Sequence, residues 1–416
     1  MPLEYDLWRN KMKRGLFWRI NQLMAAYILF FTFAPPLQVD NVYRILAVTA
    51  SVIWFLTAVA VNPGYISGIV SQYMSLLLVL VFCLVVLNSL VVGLSQAIIN
   101  NLQLIIVIIV GFIAFFYAQN DRAYYDYIVF FTIIAICAFC VTTIRGVAEN
   151  PYAARIANSE WLEGRFEQNR NVGLYGYVYM CVQILPSLLY LRKKRIISSK
   201  ILNLLLLVAI ILIMYMVLTS GYMIAIFCTL VSIIALDYYS HSSSLRLFLF
   251  VLGTVGVVTL YNTLLPAFFS IAYSLVGDNP VYQQKLYAFQ MLTSANTVTG
   301  DVLGRFSNYQ ASLNNVLHYP LIGAYILGKR TLGGGHSWIL DNFSRYGVLV
   351  TILLMKLYWK TPQMIAGNGT KKHPLYKTVI LISVIFGFLD PYPQEISIAL
   401  FIFLPYVLLK EEKASI

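Results

Sequence analysis

From about residue 17 to residue 410 the chain repeats apolar windows as long as a bilayer is thick. A hydrocarbon core of about 30 Å takes roughly 20 helical residues to cross. Inside it every backbone N–H and C=O must find a partner within the protein, a demand that helices meet on their own. Twelve spans are expected, at approximately 17–37, 44–61, 73–93, 97–118, 124–144, 172–191, 200–219, 221–239, 245–263, 337–359, 375–390 and 395–410. The seventh and eighth run together; they are divided at Thr219-Ser220-Gly221 because one helix of about 39 residues would be nearly twice the bilayer thickness. Composition points the same way, since a chain of 416 residues that is 60% hydrophobic and 11% charged has too little polar surface to coat a soluble globule. The fold class that follows is all-α, a polytopic helical bundle forming a single membrane domain over 1–416.

Orientation follows from the basic residues. Arg9, Lys11, Lys13, Arg14 and Arg19 precede or open the first span, which by the positive-inside rule places the amino terminus in the cytoplasm. With twelve spans, the Arg192-Lys193-Lys194-Arg195 run, the Lys360 to Lys377 segment and the Lys410 to Lys413 tail also fall inside, so both termini are cytoplasmic. Two long loops, about 145–171 and 264–336, then fall outside. The first span reads as a signal anchor, because no convincing small-residue cleavage site follows it. The net charge of +12 is thereby absorbed as a topology signal, and nucleic acid is not an expected partner.

The two basic residue types are not distributed alike. Outside segments hold about eight Arg and two Lys, Lys285 and Lys329, whereas inside segments hold about twelve Lys and seven Arg. The guanidinium fork grips phosphate or carboxylate by parallel hydrogen bonds, so an outer anionic ligand is expected. The competing reading pairs these Arg residues with local carboxylates such as Glu160, Glu163, Glu167, Asp278 and Asp301.

Other chemistries find little support. All five cysteines fall inside expected spans, and Cys137-x-x-Cys140, set among Ile, Ala and Phe, reads as helix packing rather than a redox or zinc motif. There is no Walker loop, dinucleotide fingerprint, His-Glu-x-x-His or Asp-x-Asp; Gly333-Gly334-Gly335 lacks a preceding strand and reads as a flexible hinge before His336. Neither cofactor nor metal is expected. An outward-facing transfer reaction without nucleotide sugars must draw on an activated lipid-diphosphate donor.

The outer loops carry the polar residues. The first holds Arg155, Glu163-Gly164-Arg165-Phe166 and Asn169-Arg170-Asn171-Val172-Gly173, which places Arg170 at a helix start, where free N–H groups and the dipole favour an anion. Alternatively Asn169 or Asn171 caps that helix and Arg170 snorkels to the interface. In the second loop, Tyr282 to Leu292 reads as a helix lying at the membrane surface. Beyond it a polar stretch from Gly300 to Gly347 contains Arg305, His318, His336 and Arg345.

Arg305 opening a helix that ends in Tyr319-Pro320-Leu321-Ile322-Gly323, followed by His336 before a span with Tyr346-Gly347 in its first turns, resembles the signature of the O-antigen polymerase and O-antigen ligase superfamily. The segment from Gly164 to Gly173 is similar to that family's Gly-x-Phe-x-Asn-Pro-Asn block, with Arg170 where proline is common. Thr219-Ser220-Gly221-Tyr222 departs from the family, where many members have Ser-Arg. The resemblance covers roughly residues 150–350.

It implies a metal-independent integral-membrane glycosyltransferase. Its donor would be a polyprenyl-diphosphate-linked oligosaccharide at the outer face of the cytoplasmic membrane. Arg165, Arg170 and Arg305 would bind the diphosphate, and His336 would be the general base. Imidazole suits that role because its ordinary pKa, about 6.5, lies near neutrality. His318 is the rival base, while His241 and His373 fall in inside loops. Arg155 is a further candidate contact, and Tyr309, Tyr325 and Trp338 are candidates for stacking on sugar rings. The polymerase, which extends a lipid-linked repeat unit, is favoured over the ligase, which transfers to lipid A core. A lipid-linked oligosaccharide flippase is the reading from another class. Partners expected besides the glycolipid are membrane lipids, a chain-length regulator and a flippase.

Overall fold

In a computed structural model of the chain the described residues are 15–38, 41–71, 89, 92–156, 171–197, 199–241, 270–274, 280–294, 300–321, 323–324 and 334–414. Among them all regular structure is helical. In chain order the principal helices begin with α1 (Leu16–Phe33), α2 (Asn41–Val61), α3 (Leu94–Asn120) and α4 (Arg122–Glu149). Next come α5 (Tyr175–Lys193), α6 (Lys200–Thr219), α7 (Met223–Ser240), α8 (Pro280–Ser294) and α9 (Gly300–His318). The last three are α10 (Trp338–Ala366), α11 (Pro374–Leu389) and, after a π-helical turn at Ile398–Phe403, α12 (Leu404–Ala414).

Seven of these, α1, α2, α3, α4, α6, α7 and α10, contain a stretch long and apolar enough to cross a membrane, and α11 is a shorter apolar helix. The expected spans at 73–93 and 245–263 lie largely outside the described residues. The outward faces of the long helices are apolar: Val42, Ile45 and Leu56 on α2, Ile201, Leu204 and Ile211 on α6, and Phe227, Leu230 and Ile234 on α7 are all exposed. Patches of this extent are untenable in water and natural against hydrocarbon.

α5 behaves differently, and its sequence explains why. It carries Gln183 and Ser187 and is less apolar than its neighbours, yet nearly every residue from Gly176 to Leu191 is buried. A helix surrounded by other helices meets protein on all sides, so it can carry polar groups that a lipid-facing helix could not.

The division at residues 219–221 is observed, with α6 and α7 separate and joined by a turn in which Gly221 has φ +71. A Cβ there would lie 2.8 Å from Val281 on α8, so glycine serves both the turn and the approach of α8. At the amino-terminal side a buried polar node fixes three helices. Asn21 of α1 donates to the Trp54 carbonyl and to Thr57 Oγ1 of α2, both at 3.0 Å, and accepts from the Tyr117 hydroxyl of α3 at 2.5 Å. Cys140 is fully buried, 3.4 Å from the Tyr177 hydroxyl, as packing predicts.

Candidate functional site

One face of α9 meets the bundle. Arg305, Tyr309 and Ser312 follow the i, i+4, i+7 spacing of a single helical face, while Phe306, Leu313 and Leu317 are exposed. Arg305 Nη1 donates to the Leu389 carbonyl at 3.1 Å and lies 3.7 Å from Asp390 Oδ1, and the Tyr309 hydroxyl donates to the same carbonyl at 3.1 Å. Leu389 is the last residue of α11, where carbonyls lack intrahelical partners and the dipole is negative. A cation and a hydroxyl from α9 therefore complete the end of α11. Arg305 lies within α9 rather than opening it, since the helix already begins at Gly300.

Asp390, just beyond α11, is the point of convergence. Tyr179 of α5 donates its hydroxyl to the carboxylate, the Asp390 carbonyl accepts from the Trp338 backbone N–H at 3.1 Å, and Asp390 itself is buried. Burial pushes the Asp390 carboxyl upward; Arg305 first, then Tyr179, His336 and Lys285 of α8, act against that rise. Arg305 thus meets the Asp390 side chain, while His336 stands two residues before Trp338, whose backbone N–H holds the Asp390 carbonyl.

The loop carrying His336 is held on both sides. Ser337 caps α10, its Oγ accepting from Leu340 N–H at 3.2 Å and donating to the Gly387 carbonyl at 3.2 Å. Asp341, in the first turn of α10, accepts from Ser312 Oγ at 2.6 Å and from the Ser337 N–H at 3.3 Å. Ser312 Oγ in turn accepts from Gly334 N–H at 2.9 Å. A Cβ on Gly334 would sit 2.2 Å from Asn308 Cβ and 2.3 Å from its carbonyl oxygen. The expected flexible hinge is therefore, at Gly334, a close contact that only glycine permits.

α10 is broken at Gly347, whose φ of 75° and ψ of 177° leave the helical region. In an unbroken helix Val348 N–H would donate to the Ser344 carbonyl. Here Val348 N–H donates to the Pro320 carbonyl and the Ser344 carbonyl accepts from Ala324 N–H, each at 2.8 Å. The segment after α9 is inserted into the missing rung. Gly323, with φ +72, lies so close that a Cβ would be 2.1 Å from the Arg345 carbonyl oxygen. Interrupted helices inside a membrane protein are tolerated where the freed groups are paired by protein, as the Val348 N–H and the Ser344 carbonyl are here.

Beside this break lies a cavity of about 270 Å³, whose lining includes Asn101, Tyr175, Asp341, Asn342, Arg345 and Gln394. Gly335 and Trp338, which bracket His336 in sequence, also line it. The Trp338 ring packs on Tyr358 and Tyr392 at centroid distances of 5.3 and 5.2 Å.

Of the residues expected to form the site, Arg305, Tyr309, His336 and Trp338 are gathered around residues 389–390. His318 is not among them; it is exposed in the last turn of α9, with Nδ1 2.7 Å from the Asn314 carbonyl oxygen. Arg165, Arg170 and Tyr325 lie outside the described residues, as does Asn169. Arg155 belongs to the helical turn Ala153–Ile156, which Tyr222 ties to the α6–α7 corner by donating to the Ala154 carbonyl at 2.8 Å. Asn171 does not cap α5. The N-cap is Leu174, with no side-chain cap bond, and the preceding backbone is held instead by α4: Thr142 Oγ1 donates to the Asn171 carbonyl at 2.8 Å and Thr143 Oγ1 accepts from Gly173 N–H at 2.8 Å.

Asp390, Tyr179 and Asp341 were not anticipated. The run Asp390-Pro391-Tyr392-Pro393-Gln394-Glu395 holds two carboxylates and two prolines between apolar helices, a signal masked by reading Asp390 as the tail of a span. No protein-family model matches the chain, and no curated protein matches it.

Proposed function

We propose that this protein is an integral-membrane glycosyltransferase of the O-antigen polymerase type. It joins a glycan carried on polyprenyl diphosphate to a second lipid-linked repeat unit. The observation that carries this reading is that Arg305 is held at Leu389 and Asp390 while the loop bearing His336 is anchored to the same Asp390 through Trp338, beside an aromatic-lined cavity, because an anion-gripping cation and a base are the two functions such a transfer needs. In the proposed step His336 takes the proton from an acceptor hydroxyl as its oxygen attacks the anomeric carbon. The bond from that carbon to the diphosphate oxygen breaks, and polyprenyl diphosphate leaves with the electron pair. The departing charge is met by guanidinium groups: Arg305, assisted by Arg165 and Arg170. Arg305 is fit for this because its side chain remains 31% exposed while one of its five N–H donors is used on the Leu389 carbonyl.

The topology proposed with this function has twelve spans in a cytoplasmic membrane, both termini inside, and α8, α9 and the His336 loop outside. The exposed Phe306, Leu313 and Leu317 of α9 fit a helix resting on lipid. The ligase reading shares every residue named and differs only in acceptor.

The test is synthesis by purified protein from a polyprenyl-diphosphate-linked repeat unit in the presence of EDTA. A ladder of polymer lengths is expected. No product, with glycolipid nevertheless crossing a vesicle bilayer, would replace the enzyme with a flippase.

A further inference from the structure

The larger cavity lies far from this site, at the other end of α5. It has a volume of about 720 Å³ and is lined by Leu189, Arg192, Lys193, Arg195, Ile197 and Asn203, where α5 turns into α6. Three of these six are cations. Lys193 is matched by Asp237 of α7 at 3.0 Å. Arg192 and Arg195 are exposed, and among the described residues neither meets a carboxylate.

The backbone at this turn is a second, independent observation. Ile196 N–H donates to the Leu191 carbonyl and Arg195 N–H to the Arg192 carbonyl, each at 3.2 Å. That is the Schellman ending of a helix, and it places Arg195 at the left-handed position with φ 49°. Glycine or asparagine ordinarily stands there, because a Cβ is disfavoured in that conformation. An arginine at this position keeps a second cation at the cavity mouth against the local preference of the backbone.

A third observation identifies the source of the anion. From the cavity edge, Ile201, Leu204, Val208, Ile211, Tyr215 and Leu218 of α6 are all exposed. Their alternating spacing of three and four keeps them on one side of the helix. Two unmatched cations at the end of a continuous apolar stripe suit an amphiphile with an anionic head and acyl chains. We propose that this cavity binds the phosphodiester headgroup of an anionic phospholipid, its chains lying along the exposed face of α6.

The experiment is native mass spectrometry of the full chain released from nanodiscs of phosphatidylglycerol or of phosphatidylcholine, with inorganic phosphate as a separate probe. Wild type is expected to retain phosphatidylglycerol in preference to phosphatidylcholine, with retention weakening about five-fold for each charge removed in Arg192→Gln and Arg195→Gly. Arg195→Gly also relieves the backbone, so its melting temperature in phosphatidylcholine should equal or exceed that of wild type; loss of lipid together with a retained melting temperature is the signature of a binding role. Retention of phosphatidylglycerol unchanged in both variants, equal retention of the two lipids by wild type, or displacement of phosphatidylglycerol by millimolar phosphate would each overturn the assignment.

Discussion

Asp390 organises the candidate site although it is not cast as the group that reacts. Its carboxylate is shared by Arg305 and Tyr179, and its backbone carbonyl anchors the first residue of α10. Because burial raises its folded pKa above the ordinary carboxylate value, the folded protein binds this proton more tightly than the unfolded chain does. Stability from this group is therefore greatest at low pH and falls as pH rises from the ordinary carboxylate range through the raised folded value. Arg305→Met removes the foremost opposing charge, so the Asp390 titration should move further up, read as the protonated-carboxyl band in infrared difference spectra. The band should disappear in Asp390→Asn, and a titration unmoved by Arg305→Met would separate the two residues. Tyr309→Phe deletes one hydrogen bond to the Leu389 carbonyl and should lower stability by about 1 kcal/mol, measured by thermal unfolding in detergent.

At the scale of elements, the insertion of Pro320, Gly323 and Ala324 into the broken rung of α10 makes two glycines indispensable and leaves a third free. Gly323→Ala would force a methyl group onto the Arg345 carbonyl oxygen at a left-handed φ, and should destabilise the protein by about 3 kcal/mol or more. Gly304 lies within α9 with open space where its Cβ would be, so Gly304→Ala should stabilise by roughly 0.5–1 kcal/mol. Similar effects of the two substitutions would mean that the segment after α9 does not occupy the rung. Ser312→Ala removes the hydroxyl that joins Asp341 to Gly334. It should cost about 1.5–3 kcal/mol as the loss of a hydrogen bond to a charged group, and loosen the His336 loop, seen as faster amide exchange at residues 334–337.

At the scale of the whole molecule, the helical class and the α6–α7 division were legible because bilayer thickness is a length that apolar runs either match or exceed. The proximity of Arg305 to His336 was expected only through a family resemblance. The reason for that proximity was not legible, because Tyr179, Arg305, His336 and Asp390 are brought together by packing that no local periodicity encodes. Gly347 and Gly323 were visible as motif letters, but their role depends on two carbonyls and two N–H groups from segments about 25 residues apart exchanging partners. The proposed topology predicts that an introduced cysteine at Lys285 reacts with a membrane-impermeant thiol reagent added to intact cells, and that one at Lys371 does so only after lysis; reversed labelling would invert the orientation. The central claim is a division of labour, with Arg305 gripping the lipid diphosphate and His336 activating the acceptor. The most direct measurement is donor binding alongside single-turnover transfer in EDTA for wild type, Arg305→Ala and His336→Ala. The account predicts that His336→Ala binds the polyprenyl-diphosphate donor as wild type does yet loses transfer by about 100-fold or more, whereas Arg305→Ala loses both. Transfer by His336→Ala at the wild-type rate would contradict it.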